Sequence, residues 1–318
     1  MVLTVSGTPS RQREIFERQA GYCDGRSPLY AELCRRLAVD PRVEEVAPDL
    51  KWDFPLRLLG ALHFLVLGGE ATWDDIDAAL IGRTAFLREF TATRDVQTNE
   101  VQRSWALVPA FLSVADGRPL ELLELGPSAG LNLVWDRYRY RYSTGTWGSG
   151  GLELSGEDRV PPPPELLGRS VEVVRRRGVD LNPVDVTTET GARLLQSFVW
   201  ADQTERLERL RRAIDVLRED PPELISGDYV EELPALLADR VLDAQLIVFE
   251  TASTQYLHGE QLEQLRAALS AAGEVVFLTT RTIRGREGYS LEAVRWPGGE
   301  SRELEFFDFH GAWLEWTH

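Results

Sequence analysis

The chain has 318 residues, 43% hydrophobic and 27% charged, the composition of a globular protein with a sizeable core. Its 51 acidic side chains against 35 basic ones give a formal charge of −16, which argues against duplex nucleic acid as a partner and leaves room only for a local RNA-binding patch. Two cysteines, Cys23 and Cys34, cannot build a disulfide framework, and His63, His258, His310 and His318 lack the spacing of a zinc site.

In chain order, the first ten residues hold no basic side chain, so no signal peptide is expected. Apolar residues three and four apart then predict helices through Ile15, Phe16 and Ala20 and through Leu29, Tyr30, Leu33 and Leu37. Residues 54–67 read as a buried helix stopped by Gly68 and Gly69; it is too short, and with Arg57 and His63 too polar, to span a bilayer. Thr72 is read as the cap of a short helix through Asp74 and Asp75, and further helices are expected over 84–90 and 99–115. Residues 1–117 thus read as an all-helical module, and the whole as a cytoplasmic protein with no membrane segment.

At Pro119 the period changes. Short apolar runs at 120–125, 171–174, 224–225, 246–249 and 275–279 alternate with helical stretches at 192–218 and 261–271, the pattern of a parallel sheet covered on both faces. The tail, 290–296 and 302–309 around Pro297-Gly298-Gly299, reads as an antiparallel hairpin closing the sheet. Residues 138–164 do not fit, and read as an inserted surface hairpin plus a stiff proline linker. Its alternating Tyr138, Tyr140 and Tyr142 are assigned to a solvated face, with base stacking as the less favoured reading.

Three acids carry the chemistry. Glu124 precedes a glycine turn, Gly126-Pro127-Ser128-Ala129-Gly130, that follows the first strand and opens a helix carrying Asn132. Such glycines let a ligand approach the backbone, and the helix start offers free amides. Asp180, beyond the second strand, stands where a carboxylate accepts from ribose hydroxyls, and Asp228, followed by Tyr229, stands where one accepts from an adenine amino group. Each is equally a turn or N-cap residue; what singles them out is that all sit at the carboxyl ends of successive strands. Glu250, after the fourth strand, is read either as a general base or as a cap on the next helix. Gln97, Asn99, Glu100 and Arg103 form a polar cluster at the start of an otherwise apolar helix: either Asn99 is a plain N-cap with Arg103 paired to Glu100, or the helix is a lid over the pocket with Arg103 facing an anionic substrate group or the cofactor carboxylate.

The segments ELGPSAG, GVDLNP and GDYVEELP resemble, in order, the cofactor motifs of Rossmann-like class I methyltransferases. QTNEVQRS at 97–104, ELGPSAGLNLVWDRY at 124–138, GVDLNPVDVT at 178–187 and the ending FDFHGAWLEW resemble a bacterial family of unknown function grouped with them. The resemblance spans nearly the whole chain. It implies a mostly parallel Rossmann-like α/β domain over 118–318 with the antiparallel C-terminal hairpin, and an N-terminal helical cap domain. It implies S-adenosylmethionine as cofactor, held by Glu124, Gly126, Ser128, Gly130, Asn132, Asp180, Asp228 and Tyr229, and a small-molecule acceptor facing Glu250 and Tyr256. Pro127 and Ser128 depart from the usual glycine-rich loop. Two rivals stay open: a nicotinamide-dependent oxidoreductase, against which the third glycine of GxGxxG is missing, and a non-catalytic protein on the same fold.

Overall fold

The computed structural model describes residues 10–47, 50–97 and 99–317; most of the stretch read for a signal peptide, and His318, lie outside them. The chain divides into two compact units, Met1–Thr98 with Thr188–Arg211, and Asn99–Thr187 with Arg212–His318.

The first unit is helical: Arg11–Cys23, Pro28–Leu37, Arg42–Val46, Phe54–Leu67, Ile76–Gly82, Thr84–Thr93 and, from later in the chain, Glu189–Ser197. Local chemistry sets the starts. Ser10 accepts from Arg13 N, Ser27 caps a helix with Pro28 at its first position, and Asp75 accepts from Ala78 N. Helix Phe54–Leu67 is apolar on nearly every side and forms the centre of the core. Phe198 packs so closely there that a Cβ on Gly60 would sit 2.9 Å from its ring. Leu194, Phe198 and Trp200 join the same core, so a segment that periodicity alone assigns to the sheet domain folds with the helices. His63 is buried against Ser197 O at 3.2 Å, and burial lowers it to about 4, so it is neutral. Cys23 and Cys34 are buried free thiols.

The second unit is built on strands β1 Leu120–Leu125, β2 Arg139–Tyr142, β3 Gly145–Trp147, β4 Glu153–Ser155, β5 Glu157–Val160, β6 Val173–Asp180, β7 Glu223–Ser226, β8 Gln245–Phe249, β9 Val275–Thr282, β10 Tyr289–Trp296, β11 Glu300–Phe307 and β12 Trp313–Trp316. Nine form one sheet in the order β5-β12-β11-β10-β9-β8-β1-β6-β7. From β7 to β9 the neighbours are parallel; β10, β11 and β12 add antiparallel, and β5 pairs parallel with β12 at the far edge. The architecture is mixed α/β with a mostly parallel sheet. On one face, Leu123, Leu125, Val179, Leu246 and Val248 pack with Leu233, Leu237, Leu265 and Leu269 of helices Tyr229–Ala238 and Gly259–Ala271. On the other, Phe111 of helix Arg103–Val114 stacks on Trp135 at 4.7 Å and meets Phe249 edge-on at 5.1 Å.

Four expectations are corrected. The stretch 192–218 is two helices, Glu189–Ser197 and Thr204–Glu219. The second strand runs to Asp180, its apolar signal masked by Arg175, Arg176 and Arg177, whose charges find acids: fully buried Arg177 meets equally buried Glu121 at 2.5 Å. The element after the glycine turn is a seven-residue 3-10 segment, Leu131–Arg137, kinked at Val134. The insertion is no solvated hairpin: β2 pairs β3 and β4 in a small sheet, and its Tyr140 and Tyr142, with Tyr138 just before, are buried while Arg139 and Arg141 face out. Their hydroxyls donate to Leu131 O, Trp135 O and Trp105 O, so the rings are core, not a base-stacking surface.

Glu305 on β11 faces Leu291 and Trp316 across its neighbours, beside a register irregularity between β10 and β11. It is 0% exposed, neither oxygen has a partner, and burial pushes its acid well above the usual carboxylate range. A folded value above the unfolded one of about 4.5 means that stability is full below that pH and falls as pH rises. Urea midpoints at pH 5.5 and 8.0 should therefore fall with pH, and fall less in Glu305→Gln; equal slopes would refute a neutral Glu305.

Candidate functional site

In the parallel core β1 has β6 and β7 on one side and β8 and β9 on the other, so connections leaving β1 and β8 diverge and open a crevice at their carboxyl ends. Both loops contain a non-glycine residue in the left-handed region, Ser128 at φ 54° and Ala252 at φ 73°, the two such residues among those described. Each conformation costs on the order of 1–3 kcal/mol and persists only where its surroundings over-determine it. For Ser128 they do so through Asp180 Oδ2, which accepts its amide at 2.8 Å, and Val184 N, which donates to its carbonyl at 3.1 Å. For Ala252 it is Thr280 Oγ1, which accepts its amide at 2.8 Å.

The glycines of the turn serve the protein's own packing. Gly126, at φ 75°, faces Ser253, whose Cβ lies 2.8 Å from where a Cβ would stand. Gly130 lies against Pro222 and Leu224, and Gly178 of β6 against Pro127. Most amides of the turn itself are taken: Gly126 N donates to Val179 O, Ser128 N to Asp180 and Gly130 N to Pro127 O, while Pro127 has none to give.

Glu124 lies on the helix Arg103–Val114 side of β1 and is 1% exposed. Its Oε1 accepts from Asn132 Nδ2 at a long 3.5 Å, and its Oε2 has no partner. Burial, helped by Asp180 and Glu250, raises it to about 8 against the pull of Arg103, so at neutral pH it is mostly protonated. Asn132 is held by Ser104, whose hydroxyl donates to its Oδ1 at 2.8 Å. Arg103, 7% exposed, donates through Nε to Phe309 O at 2.7 Å. The helix begins at Arg103 rather than Asn99, and Arg103 has no ion pair with Glu100, whose carboxylate accepts from Gln102 N instead. Asn99 is not a cap; it donates to Pro127 O at 2.7 Å, while its own Oδ1 is buried without a partner. Asn99, Glu100 and Arg103 thus belong to the sheet's unit, and Asn99 reaches its glycine turn, whereas half-buried Gln97 belongs to the helical unit.

Asp180, half-buried, clamps the turn with both oxygens, taking Ser128 N and Asn182 N. Asp228 is the N-cap of helix Tyr229–Ala238 and accepts from Val230 N at 2.8 Å. Glu250, read as a candidate base, is fully engaged: Oε1 accepts from Thr279 Oγ1, Thr280 N and Thr280 Oγ1, and Oε2 from Ser253 N and Thr254 N. Five donors on about four lone-pair sites leave none for a substrate proton, so the geometry assigns it to holding the turn. Tyr229 donates to Ser253 O at 3.3 Å, and burial raises its hydroxyl to about 12. Tyr256 is 72% exposed. Residues that pattern did not single out complete the edge: Ser104, Ser253, Tyr289 and Phe309, the last two in edge-on contact at 4.8 Å. The ending FDFHG was visible as a motif, but only folding brings it to Arg103 and to Gln102, whose amide donates to Gly311 O. Among the described residues no group of three or more His, Cys, Asp or Glu is arranged to hold a metal, and no helix is long and apolar enough to cross a membrane.

A family described as an uncharacterized protein conserved in bacteria, DUF2332, matches residues 13–316. The chain belongs to that family. No curated protein and no solved structure matches it. For a DUF2332 member the strand-end geometry is therefore the first guide to chemistry.

Glu250→Ala should strip five donors of their acceptor and lower stability by about 3 kcal/mol or more in urea unfolding. A stable variant would return Glu250 to the list of candidate bases.

Proposed function

We propose that the protein binds S-adenosylmethionine across the ends of β1, β6 and β7 and transfers its methyl group to a small-molecule oxygen or nitrogen acceptor. The observation that carries the reading is a row of acids, Glu124, Asp180 and Asp228, on or just after three strands that are neighbours in the sheet, at the edge where its connections diverge. Asp180 and Asp228 each keep lone pairs beyond the amides they accept, for ribose and adenine donors. Glu124 meets the other end, where the donor carries its sulfonium and ammonium. An acid-lined edge favours that cation and opposes a pyrophosphate, and the amides of Gly126, Ser128 and Gly130 are already engaged within the fold. This supports the methyl donor over a nicotinamide dinucleotide.

When bound, the cofactor supplies an electrophilic methyl. The chain's own residues orient donor and acceptor in line and exclude water, which is most of what methyl transfer needs. The engagement of Glu250 favours acceptors that shed their proton to solvent; it equally suits a second reading, a cofactor-binding protein without turnover, which is told apart by radiolabelled methyl transfer to a small-molecule extract.

Calorimetry should show S-adenosylhomocysteine binding in the micromolar range and no NAD binding. The pH dependence is specific. The ligand's ammonium needs Glu124 ionised, so affinity should rise with pH from 6 towards about 8, by at most about tenfold per pH unit, and this rise should vanish in Glu124→Gln. Absence of binding in the wild type would end the reading; a pH-independent affinity would remove Glu124 from it.

A further inference from the structure

Arg103, 7% exposed, is a cation with no ion pair among the described residues. Its single hydrogen bond runs from Nε to Phe309 O at 2.7 Å, and its Nη1 and Nη2 make neither hydrogen bond nor ion pair among the described residues. Burying an unpaired guanidinium is costly, and folded proteins normally answer it with a carboxylate or phosphate. The acids nearby do not supply one. Glu124 feels Arg103 without forming an ion pair, and stays mostly protonated at neutral pH. Glu250 is saturated by five donors of its own, and Glu100 turns to Gln102 N. Around this cation the polar groups are preset rather than loose: Phe309 O fixes the planar group, Tyr289 packs on Phe309, and Ser104, the next residue, holds Asn132. The partnerless Oε2 of Glu124, an acid that feels Arg103, is a buried polar atom in this neighbourhood.

We infer that Arg103 is a receptor for a carboxylate of a bound small molecule, taken through its two free Nη groups. Planar, two-pronged donation is what a guanidinium does for a carboxylate, and Nε anchored on a backbone carbonyl leaves the Nη groups for it. The carboxylate belongs either to the amino-acid end of the proposed cofactor or to the acceptor. The second source does not depend on the cofactor reading, so the two can fail separately. A purely structural arginine would instead have its charge matched inside the fold, as Arg177 has with Glu121.

The test compares wild type, Arg103→Met and Arg103→Lys by calorimetry and thermal unfolding. The ligands are S-adenosylhomocysteine, 5′-methylthioadenosine, which lacks the amino-acid end, and acetate. If the cofactor supplies the carboxylate, Arg103→Met loses tenfold or more in S-adenosylhomocysteine affinity, keeps its affinity for 5′-methylthioadenosine, and Arg103→Lys recovers part of the loss. If the acceptor supplies it, both nucleoside affinities are unchanged, and acetate at millimolar concentration raises the melting temperature of the nucleoside-saturated wild type but not of Arg103→Met. Should neither nucleoside bind the wild type, the cofactor reading falls, and the acetate shift on the ligand-free protein still decides the role of Arg103. In every supporting case ligand-free Arg103→Met melts no lower than wild type, because an unmatched charge has been removed. Ligand responses that are the same in wild type and Arg103→Met, or a fall in its melting temperature with binding intact, would overturn the inference and leave Arg103 as a tie to Phe309.

Discussion

Glu250 gathers five donors from two directions: Thr279 and Thr280 on β9, and the backbone of the turn at Ser253 and Thr254. The rest of this strand-end edge depends on that arrangement. Ser253, so placed, donates to Leu125 O and fills the space where a side chain on Gly126 would stand, while its carbonyl takes the hydroxyl of Tyr229. One buried carboxylate thus sets the mutual position of the loops leaving β1 and β8. The left-handed backbones of Ser128 and Ala252 are tolerated because Asp180 and Thr280 hold them from the flanking strands.

Around this frame the acids divide by environment. Arg177 compensates Glu121 deep in the sheet, and backbone amides and threonines compensate Glu250. Glu124 has one long hydrogen bond and one empty oxygen, and Glu305 has nothing. Uncompensated groups cost stability, and a fold keeps them where something outside the chain completes them or where their neutral form suffices. Under the proposed function Glu124, which feels the charge of Arg103, is of the first kind. Glu305, with no charged partner and enclosed between β10 and β12, belongs to the second.

The parallel core was legible because buried strands of Leu, Ile and Val bounded by glycine have no competing explanation: 120–125 was read with both ends correct. The C-terminal hairpin was legible too, through Pro297-Gly298-Gly299, although its second strand runs Glu300–Phe307 and not 302–309. β6 was placed too early because its inward arginines read as surface, and neutralising partners sixty or so residues away cannot be seen in a local window. The buried tyrosines of β2 were misread for the same reason: Tyr–Arg alternation is the same string whether the tyrosines face water or a core.

By itself the sequence determined the helical N-terminal stretch, the alternation of parallel strands with helices after Pro119, the C-terminal hairpin, and that acids close successive strands, because these follow from periodicity and turn chemistry within a few residues. The tertiary structure alone decided which of those acids is free. Glu124 and Glu250 stand in similar sequence surroundings, each one residue from the end of a buried strand, yet one is saturated and the other half-empty. The difference lies in Thr279, Thr280, Asn132 and Ser104, which come from other strands, turns and helices, and hydrogen-bond partnership across such separations is a property of packing that no stretch of chain carries locally.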